Sequence, residues 1–213
     1  MLKLQKIRKQ HLIIFTRYPA AGKTKTRLIP ALGDIGAANL QKQMTEHTIL
    51  QVNKLQKTSA ITVEVRFAGG NGELMQNWLG LDFVYKTQGE GDLGERMMRS
   101  LADAFDNSAE DVIIIGTDCP GLNSQILTTA FEQIQSFDLV LGPALDGGYY
   151  LIGLRKLIPE LFYQIQWGTA QVFSQTVEIA QKINLSSVYL TTLADVDRPE
   201  DLPVWQQTWK GVG

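Results

Sequence analysis

Four aspartates stand where this chain could do chemistry: Asp118 just past the apolar run Val112-Ile113-Ile114-Ile115, Asp146 before Gly147-Gly148, and the pair Asp195 and Asp197 near the end. With them goes a cluster of cations, Arg17, Lys23, Lys25 and Arg27, within eleven residues that contain no acid. A carboxylate delivered by a rigid strand can hold a divalent cation or a substrate hydroxyl. In a chain of net charge -2, clustered arginine and lysine make a strong local anion field, and Gly22 in the same loop lets the backbone approach a phosphate closely. The combined reading is a site that handles a phosphorylated ligand.

Each feature also has a plainer use. Asp118 could cap, or turn into, the helix expected to start near Asn123. The cationic loop could be merely solvated, although about eighteen residues without periodicity inside a compact domain are uncommon unless the loop has a task. Gly22-Lys23-Thr24 is not a P-loop, because that motif requires a glycine five residues before Gly22, where Arg17 stands. Asp146 with its two glycines could be an ordinary hairpin turn. Asp195 and Asp197 are expected to point to opposite sides of an extended segment, so that only one shares a site with Asp118, and Asp197 could instead cap the last helix. In the stretch 88–97, Gly89 would let the loop fold against a ligand while helix amides face a phosphate. Composition alone favours a flexible turn there, with Asp92 as the helix cap. His47 is assigned no role.

The elements that must position these residues alternate. Residues 11–15 read as a buried strand, 34–54 as an amphipathic helix beginning near Gly33 or Asp34, 60–68 as a strand, 73–79 as a short helix and 82–86 as a third strand. A helix ending near Phe105, the central strand at 111–115, a helix over 123–136 and a strand over 137–142 follow. An apolar strand after Gly148, a helix over 170–183, a strand over 187–190 and a last helix opened by Pro199 complete the order. The βαβαβ start and the wholly apolar central strand imply an α/β fold, with ligands outside the carboxyl ends of the strands.

A length of 213 residues, with 44% hydrophobic and 20% charged, suits one domain over residues 1–213. The slight negative charge argues against a nucleic-acid partner. The single cysteine, Cys119, excludes an intrachain disulfide and fits a cytoplasmic location. Residues 1–10 are basic, but the apolar run 12–15 is far too short for a signal peptide core or a membrane span.

Five segments in order, Thr16-Arg17-Tyr18-Pro19 through Lys25-Thr26-Arg27-Leu28, Gln88 to Met97, Gly116-Thr117-Asp118-Cys119-Pro120-Gly121-Leu122, Gly142 to Tyr150, and Asp195 to Leu202, together resemble the bacterial DUF2064 family. Its members include glycosyltransferase-like proteins linked to arsenosugar biosynthesis, and the resemblance covers roughly residues 10 to 205. It implies a GT-A-like, three-layer α/β/α fold with a mostly parallel central sheet, the nucleotide-diphospho-sugar transferase fold. Molybdenum-cofactor and phospholactate guanylyltransferases look like relatives, so the fold alone leaves the reaction open. By resemblance, Arg17, Gly22, Lys25, Arg27 and Gly89 belong to the nucleotide and phosphate site, Asp118 and Asp197 hold Mg²⁺ or Mn²⁺, and Asp146 lies on the sugar or acceptor side. The chain has Thr-Asp-Cys where glycosyltransferases commonly carry Asp-x-Asp.

These parts suit transfer from a diphosphate leaving group. Negative charge grows on the diphosphate as its bond to the sugar breaks, and a carboxylate-held metal ion with arginine and lysine stabilises it. Asp146 is the candidate base for an attacking hydroxyl. The expected ligands are a nucleotide-sugar and a small-molecule acceptor. The alternatives are a nucleotidyltransferase that takes an NTP and releases pyrophosphate, and a nucleotide-binding module without turnover.

Overall fold

Leu12, Ile13, Ile14 and Phe15 are buried and alternate between two apolar layers, which places the first strand, β1 (Gln10–Arg17), inside a sheet. In the computed structural model, which describes residues 8–210, that sheet has seven strands. Most of the basic stretch 1–10 lies outside the described residues. The remaining strands are β2 (Ile61–Ala68), β3 (Val84–Thr87), β4 (Asp111–Ile115), β5 (Leu139–Pro143), β6 (Tyr149–Leu154) and β7 (Ser187–Tyr189). Their spatial order is β3-β2-β1-β4-β6-β5-β7, and only the pairings of β6 with β4 and β5 are antiparallel.

Helices cover both faces. Ile113 and Ile115 of β4 face the layer formed by α1 (Ile29–Gln56), α2 (Gly72–Leu79) and α4 (Ser124–Gln133), through Val52, Met75, Leu127 and Phe131. Val112 and Ile114 face the other layer, formed by α3 (Leu93–Asp106), the short 3₁₀ turn Pro159–Phe162 and α5 (Val172–Lys182), through Met97, Leu101, Leu161 and Ala180. The arrangement is the three-layer, mostly parallel sheet of the GT-A-like class.

Local signals set the helix starts. Asp92 and Glu95 form a reciprocal capping box on α3, with both bonds at 2.9 Å, and Asn123 accepts from the Ile126 amide at 3.0 Å to cap α4. Helix α1 carries an extra turn ahead of its expected start. It is entered by a 3₁₀ turn, Thr26–Leu28, and begins at Ile29 with Pro30 in its first turn; Gly33, at φ 70°, kinks it. Gly33 therefore interrupts the helix, and its long segment starts after it, near Gly33 or Asp34 as expected. Leu28 explains the early start, because it is fully buried with Leu40, Met44, Val196 and Trp205 in a third cluster beneath α6 (Leu202–Lys210). The loop after β1 is correspondingly shorter than the sequence suggests.

Candidate active site

The chain leaves β1 toward β2 and β3 on one side and returns through α3 to β4 on the other, so the strand order reverses between β1 and β4. A crevice opens outside the carboxyl ends of the strands at such a reversal. Here it is a cleft of about 670 Å³, lined by Arg17, Lys23, Lys25 and Arg27 from the first loop and by Asp118 after β4. Asp146, at the tip of the β5–β6 hairpin, lines it too, with Asp195 and Asp197.

Lys25 is the hub. Its side chain is only 4% exposed, and Nζ donates to the Val196 carbonyl at 2.7 Å while standing 2.9 Å from Asp118 Oδ1 and 3.7 Å from Asp197 Oδ1. Its backbone is left-handed at φ 51°, a conformation that costs a non-glycine residue roughly 1–2 kcal/mol. Arg27, 61% exposed, holds the other Asp197 oxygen at 2.5 Å. The Val196 amide donates to the Asp118 carbonyl at 2.9 Å, which ties the two acidic segments together through their backbones.

Neither acid is spent on capping. Asn123 caps α4 in place of Asp118, and Asp201 accepts from the amides of Asp197 and Arg198, so the Asp197 side chain is free to face Lys25 and Arg27. Asp195 and Asp197 do not diverge as expected. Residues two apart in an extended chain face the same way, and both line the cleft while Val196 between them is fully buried on the opposite side.

Asp146 Oδ1 accepts from the Gly148 amide at 2.8 Å, so the hairpin turn and the cleft position coincide in one residue. Burial, reinforced by the charge of Asp146, pushes the Asp195 carboxyl above its ordinary range. Burial, and after it Asp118, pushes the Cys119 thiol far up, so it stays protonated beside the cleft. His47 lies behind the Asp118 loop, where its Nε2 pairs with the Pro120 carbonyl at 3.1 Å and burial lowers its pKa, leaving a neutral ring.

Two glycines expected at the phosphates, Gly22 and Gly89, are not among the residues that line the cleft. Gly22, at φ 73°, is a turn residue outside the cleft lining, and a Cβ there would face the Asp34 carboxylate at 3.6 Å. Gly89, at φ 79°, makes room for Arg99, whose guanidinium donates to the carbonyls of Gln88 at 2.7 Å and Glu90 at 2.9 Å. The cleft contains groups to which the sequence reading gave no role. Its floor is a buried hydroxyl and amide cluster, in which Thr16 and Thr45 are 2.8 Å apart and Gln41 donates to Thr45 at 3.1 Å and to Thr117 at 3.3 Å. One wall holds Trp167, edge-on to Tyr149. An isolated polar residue on a helix face, such as Gln41, carries no signal before the fold is known.

Among the described residues there is no group of three or more His, Cys, Asp or Glu side chains that could hold a metal ion. Asp118 and Asp197, 51% and 32% exposed, nevertheless offer hard oxygen donors to one open cleft. Mg²⁺ commonly takes one or two carboxylates and completes its shell with water and phosphate, so this pair fits Mg²⁺ or Mn²⁺.

The fold and its switch-point cleft define a class, the nucleotide-diphospho-sugar transferase fold. A crystal structure from Desulfovibrio desulfuricans G20, described as a "putative nucleotide-diphospho-sugar transferase", is 32% identical, with a TM-score of 0.87 over 95% of this chain and 88% of that one. The inositol-1-phosphate CTP transferase from T. maritima shares the fold at 14% identity, with a TM-score of 0.58 over 97% of each chain. So does glucosyl-3-phosphoglycerate synthase from Mycobacterium tuberculosis, solved with Mn²⁺, uridine diphosphate and phosphoglyceric acid. Its identity is 12% and its TM-score 0.58, over 92% of this chain and 74% of that one. Residues 51–169 match DUF2064, described as an uncharacterized protein conserved in bacteria, and the chain belongs to that family. No protein of curated function matches it.

Proposed function

We propose that this protein is a metal-dependent glycosyltransferase that moves a sugar from a nucleotide-diphosphate sugar to a small-molecule acceptor, working in the cytoplasm as one domain over residues 1–213. One observation carries the reading: Lys25 and Arg27 meet Asp118 and Asp197 in a single cleft at the switch point of the sheet. The similarity to the D. desulfuricans protein supports a nucleotide-sugar as donor. Among the described residues no helix is long and apolar enough to cross a membrane.

Arg17, at the end of β1, and Lys25 and Arg27, on the loop and turn after it, hold the diphosphate. As the bond to the sugar breaks, charge builds on the leaving oxygens, and the cations by then bound to the diphosphate stabilise it. Asp118 and Asp197 would hold Mg²⁺ or Mn²⁺, which would supply Lewis-acid stabilisation of the same charge. Asp146 keeps one carboxylate oxygen on the Gly148 amide and presents the other to an acceptor hydroxyl, whose proton it takes in an inverting transfer.

A thermal-shift panel of nucleoside diphosphates, nucleotide-sugars and NTPs, each with and without Mn²⁺ or Mg²⁺, identifies the donor. A ligand at a hundred times its Kd adds about 2.7 kcal/mol, which is roughly 5–11 °C for a chain of this size. Metal-dependent stabilisation by one nucleotide-sugar, followed by release of its nucleoside diphosphate on turnover, is the expected result. Release of pyrophosphate from an NTP would overturn it in favour of nucleotidyl transfer, and silence across the panel would do so in favour of a binding module without turnover.

A further inference from the structure

The Lys25 ammonium stands between the two carboxylates that fit a divalent ion, 2.9 Å from Asp118 Oδ1 and 3.7 Å from Asp197 Oδ1, and it also donates to the Val196 carbonyl. Mg²⁺ binds carboxylate oxygens at about 2.0–2.1 Å, so an ion using both aspartates would compete for the same small volume. Two cations cannot share it without repulsion, and only the lysine side chain, 4% exposed, is shielded from water. We propose that Lys25 is a built-in counter-cation that holds the divalent-ion position in the ligand-free protein and yields it when a diphosphate offers its ammonium another partner. Metal and diphosphate then bind cooperatively. The inference rests on reading the cleft as a diphosphate site.

Two features make the exchange feasible. Lysine is a point charge on a flexible four-carbon stem with three rotatable donors, so a modest rotation redirects Nζ. The carboxylates, meanwhile, do not depend on Lys25 for their proximity. The bond from the Val196 amide to the Asp118 carbonyl, at 2.9 Å, keeps the two segments together, and Arg27 stays on the second oxygen of Asp197. The ion site therefore persists when the ammonium leaves.

Mn²⁺ alone is the probe, with binding to the full chain read as loss of the free-ion electron paramagnetic resonance signal. Lys25→Met should bind Mn²⁺ more tightly than wild type by a factor in the range of about 5 to 150 usual for coupled sites, whereas Lys25→Arg, which keeps the charge, should not. The double variant Lys25→Met with Asp118→Asn should lose the gain. An affinity of Lys25→Met within about twofold of wild type, or an undiminished gain in the double variant, overturns the proposal. If Lys25→Met does not fold, the wild-type chain gives the second reading. Acetylation of Lys25 by an amine-reactive reagent, scored by peptide mass spectrometry against the half-exposed Lys42, should rise at saturating Mn²⁺ as the ammonium is displaced, and unchanged labelling overturns the proposal. Nucleoside diphosphate release is measured separately, so failure of this exchange and failure of the transferase reading are told apart.

Discussion

Arg27→Ala separates a phosphate-binding loop from a solvated one. In the free protein Arg27 is 61% exposed and its ion pair is with Asp197, itself about one-third exposed. Exposed pairs contribute about 0–1 kcal/mol to stability, so the melting temperature should fall by no more than roughly 2–4 °C. Binding should respond much more. A charge-assisted contact to a phosphate is worth about 1.5–3 kcal/mol, which corresponds to roughly a ten- to hundredfold weaker complex. The variant also leaves Asp197 with less neutralising charge near the incoming diphosphate, which pushes in the same direction. Isothermal titration with the nucleoside diphosphate selected by the thermal panel, at fixed Mg²⁺ and salt, reads the affinity, and a melt of the same sample reads the fold. An affinity within about twofold of wild type at an unchanged melting temperature would refute the reasoning, leaving Arg27 as a surface partner of Asp197.

Asp195 gives a pH signature. Its folded-state pKa is raised by burial and by Asp146, so its contribution is fully present below the unfolded value near about pH 4 and is lost as pH rises through the folded value. Asp195→Asn should therefore melt higher than wild type at pH 7, with the difference closing toward about pH 4; parallel curves would refute the assignment. In the core, Ile113 is fully buried on β4, the middle strand, and Ile113→Ala should cost about 2–5 kcal/mol in denaturant unfolding, with little change in the affinity of whatever protein remains folded.

The strands were the legible part, for a physical reason. A strand buried on both faces must be apolar at every position, and residues 112–115 say so without any partner being known. The start of the long segment of α1 at Gly33 was legible, but the extra turn ahead of it was not, because its reason is the packing of Leu28 with Val196 and Trp205, far away in sequence. Asp118, Asp146 and the loop cations could be picked out as chemistry because each follows or opens an apolar run. Their mutual geometry could not. Lys25 reaches Asp197 across almost the whole chain, and nothing near either residue announces the pairing. At Gly89 the glycine marks a close approach whose partner, the guanidinium of Arg99, the sequence does not announce.

The missing Asp-x-Asp has a structural counterpart. With Asp118 as its second acid, that motif would have its first at Gly116, where a Cβ would meet nothing within 4 Å, so packing does not demand the glycine. The second carboxylate arrives from the far end of the chain. The bond from the Val196 amide to the Asp118 carbonyl, with Val196 buried beneath it, sets Asp197 beside Asp118 almost as a two-acid motif would. An acid supplied by a separate segment can carry its own cation, and Arg27 on Asp197 is that cation. The pair of aspartates is thus built together with the arginine and lysine that balance it, which lets strong anion-binding groups stand in a chain whose net charge is -2.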